Sequence, residues 1–180
     1  MTPREGRVQV YTGPGKGKTT AALGLGVRAA LAGLRVFVGQ FMKGTDYAEL
    51  GLRNLGFPAP GTVEIVQYGT PRLICQGQEP GEDDIAGADA GLVDIRERLA
   101  SGDWDVVVAD EITVALHFGL VGIEDVLGLV DARPPEVELV ITGRKAPDAL
   151  VERADLVTEM REVKHYYAEQ GLTARKGIEF

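Results

Sequence analysis

Cysteine is almost missing from this chain: Cys75 is the single one in 180 residues. One thiol excludes a disulfide framework and any cysteine-built zinc site, and Cys75 reads as an inert loop residue rather than a reactive thiol. Positive charge is also in short supply. There are 19 Lys and Arg against 27 Asp and Glu, a net charge of −8 with a pI near 4.8. That balance excludes a general grip on nucleic acid, which needs a basic face. An anionic ligand must then be held by a local positive site. No apolar run approaches the ~18 residues of a membrane helix, and Met1–Gly6 carries no apolar signal region. The expectation is a cytoplasmic protein with no membrane and no nucleic-acid partner.

Against those absences, hydrophobic residues are 44% and charged residues 26%, ordinary for a globular chain. A length of 180 residues predicts one domain, 1–180. A chain of this size buries about 70% of its unfolded surface.

The strongest local signal is Val8–Thr20, VQVYTGPGKGKTT. A β-type run stops at glycines, and a Lys-Thr-Thr opens a helix-compatible stretch that reaches Ala32. Strand, glycine loop, lysine, hydroxyl and helix make a P-loop. Glycines let backbone N–H groups turn onto phosphate oxygens. The helix N-terminus adds a partial positive charge and free donors. Lys18 adds a full charge, and the Thr19 hydroxyl is placed for Mg²⁺. One position departs from G-x-x-x-x-G-K-[ST]: Thr12 stands first, and the glycine follows at Gly13.

The second signal is Asp105–Glu111, DVVVADE, about 90 residues later, a Walker B pattern. Its meaning is a central strand that delivers carboxylates beside the phosphate loop, where they hold Mg²⁺ directly or through water. Short apolar runs bounded by turn residues predict further buried strands at Val36–Phe41, Val63–Tyr68, Val137–Thr142 and Leu156–Met160. Helical stretches are predicted at Tyr47–Leu55, Asp84–Ala100 and Ile123–Ala132, and from Pro147, as the first helical residue, to Ala154. Gly33 should close the first helix. Gly69–Asp84 reads as a long loop, and Met160–Phe180 as a polar strap over the sheet. His117 reads as a core-edge residue and Trp104 as packing. Strands alternating with helices predict an α/β fold with a mainly parallel sheet flanked by helices. Right-handed crossovers put the loop and Asp110–Glu111 at one carboxyl edge.

Several motifs together resemble one family: TGPGKGKTTAALGLGVRA, VGQFMKG, DVVVADEI, RPPEVELVITGRKAP, ADLVTEM, VKH and ARKGIEF. They are similar to the P-loop ATP:cob(I)alamin (corrinoid) adenosyltransferases, from Val8 to Phe180. The resemblance implies a three-layer P-loop NTPase-like (RecA-like) fold. It also implies a reaction of cobalamin biosynthesis or salvage, in which cobalt(I) of a reduced corrinoid attacks C5′ of ATP and triphosphate leaves. The nucleophile belongs to the corrinoid, which fits a chain with no evident catalytic triad. The protein's share is to position C5′ and neutralise the departing triphosphate. In such a family ATP lies reversed in the loop, and Thr12 in place of glycine is compatible with that.

Carried onto this sequence, the resemblance places the triphosphate at Gly13, Pro14, Gly15, Lys16, Gly17, Lys18, Thr19 and Thr20. Pro14 offers no N–H. Arg28, which reads equally as a solvent-facing arginine, matches an arginine of the family's first helix. Thr19 and Glu111 resemble the Mg²⁺ ligands with Asp110 nearby, and Lys18 and Glu111 are the catalytic pair. Gln40, Lys43, Arg144, Glu159, Lys164 and His165 fall in family motifs without an assigned role. The implied partners are ATP, Mg²⁺, the corrinoid, an electron donor such as a reduced flavoprotein, and a second copy in a homodimer.

Two departures stand out. Better-known members carry a Gly-Phe-x-Trp aromatic pair after the third strand; here the segment is Gly69-Thr70-Pro71-Arg72, with Leu73 and Ile74 as the nearest apolar bulk. The segment before the first strand is also short. Two other readings compete. One is a P-loop kinase or ATPase, separated by the products of ATP turnover; thymidine-kinase-like enzymes, nearest in layout, usually carry a cysteine-rich zinc lasso, and one cysteine rules out that zinc site here. A non-catalytic ATP- and corrinoid-binding protein would bind both ligands without turnover.

Overall fold

The apolar runs pair into a sheet whose interior strands are too hydrophobic to face water on either side. A computed structural model describes residues 5–72, 74 and 77–180. The expectations placed on Leu73 and Cys75 lie outside the described residues. In chain order the elements are β1 (Val8–Thr12), α1 (Lys18–Leu31), β2 (Arg35–Gln40), a 3-10 helix (Ala48–Asn54), β3 (Thr62–Gln67), α2 (Glu82–Ala100), β4 (Val106–Asp110), α3 (Ile112–His117), α4 (Ile123–Ala132), β5 (Glu138–Thr142), α5 (Asp148–Arg153), β6 (Leu156–Glu159) and α6 (Tyr166–Gln170).

The six strands form one parallel sheet in the order β3-β2-β4-β5-β1-β6. Side chains alternate between its faces. Val36, Val38, Val106, Val108 and Val140 pack with Ala22, Ala29 and Ala30 of α1. Phe37, Val107, Ala109, Leu139 and Ile141 pack with residues of α2, α3, α4 and α5, including Ile95, Leu99, Ile112, Leu129 and Leu150. The result is a sheet between two helical layers. Small residues bring α1 close: a Cβ added at Gly26 would stand 3.3 Å from Val36 Cγ1. Burying each Val or Ile contributes about 1.5–3 kcal/mol, so β2, β4 and β5 are the strands least tolerant of change.

Register sets the functional edge. Gln40 stands opposite Asp110, Tyr11 opposite Thr142, and Thr12 opposite Glu159. The polar strand ends therefore form one row, where the phosphate loop also lies. Gly33 closes α1 as expected, with φ 87° and its N–H bonded to the Ala30 carbonyl.

Some boundaries differ from the sequence reading. Residues 48–54 form a 3-10 rather than an α-helix. Pro147 is the N-cap of α5, in an extended conformation (ψ 152°), not its first helical residue. Helix α3 was not expected: its six residues include Ile, Thr and Val, which favour strands, and nothing precedes it that reads as a cap. It exists because Glu111 turns the chain sharply at φ 60° directly after β4. No helix among the described residues is long and apolar enough to cross a membrane.

Candidate functional site

The phosphate loop is shaped by its neighbours as well as by its glycines. Gly13 (φ 95°) and Gly17 (φ 116°) hold left-handed conformations that glycine adopts freely. The loop also presses on the chain that leaves β6. Gly15 N–H donates to the Met160 carbonyl (2.7 Å), and a Cβ at Gly13 or Gly15 would meet that oxygen at 2.5 or 2.7 Å. Thr12 is used rather than tolerated: its hydroxyl accepts from Ala146 N–H at 3.2 Å and ties the loop to the β5–α5 connection.

Lys18 is buried in the first turn of α1, and its Nζ donates to the carbonyls of Gly13 (2.8 Å) and Gly15 (2.7 Å). Burial lowers its pKa; Glu111 opposes that, Arg144 adds to it, and Asp110 opposes it. The ammonium is thus held at the base of the loop and ready to exchange loop carbonyls for a phosphate.

Asp110 ends β4, is 1% exposed, and is the hub of the site. Its Oδ1 accepts from Thr19 Oγ1 (2.8 Å) and Thr142 Oγ1 (2.7 Å). Its Oδ2 accepts from Lys43 Nζ (3.0 Å) and Gln40 Nε2 (3.2 Å). Lys43 and Gln40 both also donate to Glu49 Oε1, at 3.2 and 3.1 Å. Burial alone would pull Lys43 down, but Asp110 and then Glu49 outweigh it and hold the pKa above its ordinary value. A buried charge is tolerated when paired and hydrogen-bonded in this way.

Glu111, next in sequence, is freed from the strand by its left-handed turn. Its N–H donates to Thr142 Oγ1 at 2.9 Å, so its carboxylate is aimed separately from that of Asp110. Burial raises its pKa, and the nearby Asp110 raises it further against the pull of Lys43, Lys18 and Arg144. A carboxylate held partly desolvated beside a second one has unmet demand for a cation.

These groups face a cavity of about 820 Å³. One wall is the loop and sheet edge, with Lys16, Lys18, Thr19, Glu111 and Arg144. The other is Tyr47 and Glu49 of the β2–β3 connection together with the C-terminal segment from His165 to Phe180. The strap therefore covers this cavity, not simply the sheet. Arg144 is delivered by a tight turn: a Cβ at Gly143 (φ 139°) would lie 2.2 Å from Thr113 Oγ1, and that hydroxyl donates to the Arg144 carbonyl at 2.9 Å.

Of the residues singled out in the sequence, Gly15, Lys16, Gly17, Lys18, Thr19, Thr20, Glu111, Lys43, Arg144 and His165 line the cavity. Gly13 lies beneath it as the acceptor for Lys18, and Pro14 is exposed on the loop. Gln40 stands behind Asp110. Arg28 is not brought to the cavity. It is exposed in the last turn of α1, about 15 Å along the helix from Lys18. His117 is exposed at the end of α3, its ring against Phe118. Thr142, Glu49 and Tyr47 carried no expectation. The signal for Thr142 was its place at the carboxyl end of an interior strand.

Where the aromatic pair was expected, polar clasps stand instead. Thr70 Oγ1 donates to Asp84 Oδ1 at 2.6 Å, and Arg72 lies 3.6 Å from Asp84 Oδ2 and donates to the Glu79 carbonyl at 2.8 Å. Ile74 is buried in the core.

Comparison with known proteins places the chain in a family. Residues 4–180 match the family model described as ATP:corrinoid adenosyltransferase BtuR/CobO/CobP. A corrinoid adenosyltransferase of Pseudomonas aeruginosa is 35% identical over 175 residues, covering 97% of this chain and 84% of that protein. The corrinoid adenosyltransferase of Escherichia coli K12 is 34% identical over 97% of this chain and 86% of its own length. The Salmonella typhimurium protein named corrinoid adenosyltransferase CobA is 35% identical with the same coverage.

Proposed function

The chain belongs to the ATP:corrinoid adenosyltransferase family, and from that premise we propose how its site does the work. It is a transferase that moves the adenosyl group of ATP to a corrinoid. In the proposed reaction cobalt(I) of the reduced corrinoid attacks C5′. The cobalt–carbon bond forms as the C5′–O5′ bond breaks, and the electron pair leaves with triphosphate. The observation that carries this reading is one cavity wall on which Lys16 and Lys18 of the loop and Arg144 of the β5–α5 turn stand beside the oxygens of Thr19 and Glu111, with Asp110 behind Thr19.

The loop amides from Gly13 to Thr20, Lys18 and the α1 N-terminus take the triphosphate. Their task is to stabilise charge that grows as the bond to C5′ breaks. Lys18 has only to turn its Nζ from the Gly13 and Gly15 carbonyls to phosphate oxygens. ATP held with its triphosphate at the base of the loop leaves C5′ facing the open cavity.

The donors also fit Mg²⁺. Thr19 Oγ1, Asp110 and Glu111 are hard oxygen groups, and the unmet demand at Glu111 suits a cation. Mg²⁺ typically takes one or two carboxylates plus phosphate oxygens, which Glu111, Thr19 and a bound triphosphate would supply here. When bound, Mg²⁺ would neutralise charge on the triphosphate. Thr19 and Glu111 are its proposed ligands, with Asp110 holding Thr19 in place.

Arg28 has no route to this cavity within one chain, so a nucleotide role for it requires a second copy. The exposed strand β6, with Leu156 and Val157 in contact with water, supports a homodimer. The reduced corrinoid calls for an electron donor such as a reduced flavoprotein, in the cytoplasm.

Anaerobic incubation with Mg-ATP and a reduced corrinoid tests the reading. A light-sensitive cobalt–carbon product with equimolar triphosphate is expected. ADP and phosphate without that product would overturn it.

A further inference from the structure

The segment after β6 has ordinary strap chemistry but an unusual location. Helix α6 has no buried residue, and two exposed glycines in left-handed conformations, Gly171 (φ 67°) and Gly177 (φ 76°), divide the segment. Nothing lies within 4 Å of a Cβ built at either glycine, so neither conformation is imposed by packing. The segment is nonetheless folded onto itself. Glu179 is the centre: it accepts from the Tyr166 hydroxyl, from Arg175 N–H (2.8 Å) and from the Arg175 guanidinium (3.1 and 3.3 Å). These bonds, the one from Arg175 first, pull its carboxyl pKa down to about 2. The ties to the body are slighter. Lys16 Nζ donates to the Ile178 carbonyl at 3.3 Å, and the Phe180 ring meets Tyr47 edge-on with centroids 6.4 Å apart.

Those two ties end on the phosphate site. Lys16 belongs to the loop. Lys43 Nζ lies 4.8 Å above the Tyr47 ring and is bonded to Asp110, which holds Thr19. A loop cation and an aromatic next to the metal-ligand cluster thus hold the strap down.

Size decides what fits beneath it. The roofed cavity is about 820 Å³, and pockets of roughly 300–1,000 Å³ hold drug-sized ligands. A nucleoside triphosphate is of that size. A corrin macrocycle with its amide arms, in addition to ATP, is well beyond it.

We propose that residues 165–180 form a latched roof over the nucleotide compartment, closed over ATP and released to admit the corrinoid, with Lys16–Ile178 and Tyr47–Phe180 as its catches and Glu179 holding the strap in the shape that reaches them. The identity of the second substrate rests on the adenosyl-transfer reading above; the nucleotide part does not. The roof orders the reaction: ATP is enclosed first, and the larger substrate enters against an opened strap.

The test uses the full chain and the variants Glu179→Gln and Phe180→Ala in stopped flow. The probes are a fluorescent N-methylanthraniloyl ATP with Mg²⁺, and cobalamin reduced to cobalt(II). Release of the nucleotide is expected to be about tenfold faster in Glu179→Gln, from the loss of charge-assisted hydrogen bonds, and faster in Phe180→Ala as well. Association of the corrinoid to the nucleotide-loaded protein is expected to be faster in both. Trypsin cleavage at Arg175–Lys176 of the wild type is expected to slow when the nucleotide binds. Unchanged nucleotide release in both variants, or slower corrinoid association, would overturn the roof. If transfer occurs in the wild type and release is unchanged, the roof alone fails. If no transfer occurs, the nucleotide arm still decides whether a roof exists.

Discussion

The two walls of the cavity are built on opposite principles. On the sheet side, Asp110 is 1% exposed and engages four donors from three separate stretches of chain, Thr19, Gln40 with Lys43, and Thr142. On the strap side, Glu179 is also well bonded, but by Tyr166 and Arg175 of its own segment. A hub that joins distant segments fixes the fold and the site at once. A hub that joins neighbours gives a segment shape without fixing its place. The first wall suits a phosphate and a metal ion whose geometry must not drift; the second suits an opening through which a large substrate passes.

Substitutions separate the walls by size of effect. The largest is expected for Asp110→Ala. It leaves Lys43 buried beside Glu49 alone and strips acceptors from Thr19, Thr142 and Gln40, and the cost should be about 3–5 kcal/mol of stability. A chemical denaturation midpoint close to wild type would break the contrast at its root. Next comes Lys18→Ala, which removes a charge held on the loop carbonyls. Mg-ATP affinity should drop about 30- to 100-fold, or 2–3 kcal/mol, as read by isothermal titration. An unshifted dissociation constant would remove Lys18 from the triphosphate site.

Glu111→Gln sharpens the comparison because its two effects have opposite sign. Burial and Asp110 raise the Glu111 pKa in the folded state. The folded protein therefore binds more protons than the unfolded chain above the ordinary glutamate value of about 4.3, and stability is lost as pH rises through that window. In magnesium-free protein, thermal unfolding of Glu111→Gln should be higher than wild type at neutral pH and converge with it in acid. Adenosyl transfer should fall in the same variant. A variant less stable than wild type at neutral pH would contradict the electrostatic picture. The smallest effect belongs to Arg28→Ala. Stability should change by less than about 0.5 kcal/mol, and the affinity of a dilute monomer for nucleotide should not change. A loss of affinity confined to the dimer would assign Arg28 to a site shared between copies.

Much of the fixed wall was legible in the sequence. The loop and β4 announce themselves because parallel strands buried on both faces must be continuously apolar, and polar residues at their ends can only belong to the carboxyl edge. Of the partners of Asp110, Thr19 was legible as its neighbour at the metal site, but Lys43 and Thr142 were not. Lys43 lies in a connection whose path is set by interlocked backbones: a Cβ at Gly44 would stand 2.4 Å from the Gly69 carbonyl. Nothing in its local pattern points at β4. Helix α3 was hidden by strand-favouring residues, and with it the turn that sets Glu111 apart from Asp110. The strap was legible as a polar segment but not in its position, because its few ties to the body come from residues 16 and 47, far away in the chain.

The departure at Thr12 changed in meaning. As a sequence it marks a loop one glycine out of step. In the fold it is a side chain in use, bonded to Ala146 N–H, and the left-handed turn follows at Gly13. Likewise Thr70 and Arg72, where relatives in the resemblance carry aromatics, are engaged with Asp84 at the start of α2.

Amide hydrogen exchange, with and without Mg-ATP, compares the two walls in one experiment. Residues 106–110 of β4 are expected to stay protected in both states. Residues 165–180 are expected to exchange rapidly in the free protein and to slow on nucleotide binding. A strap as protected as β4 in the free protein, or one indifferent to the nucleotide, would contradict a fixed wall facing a movable one.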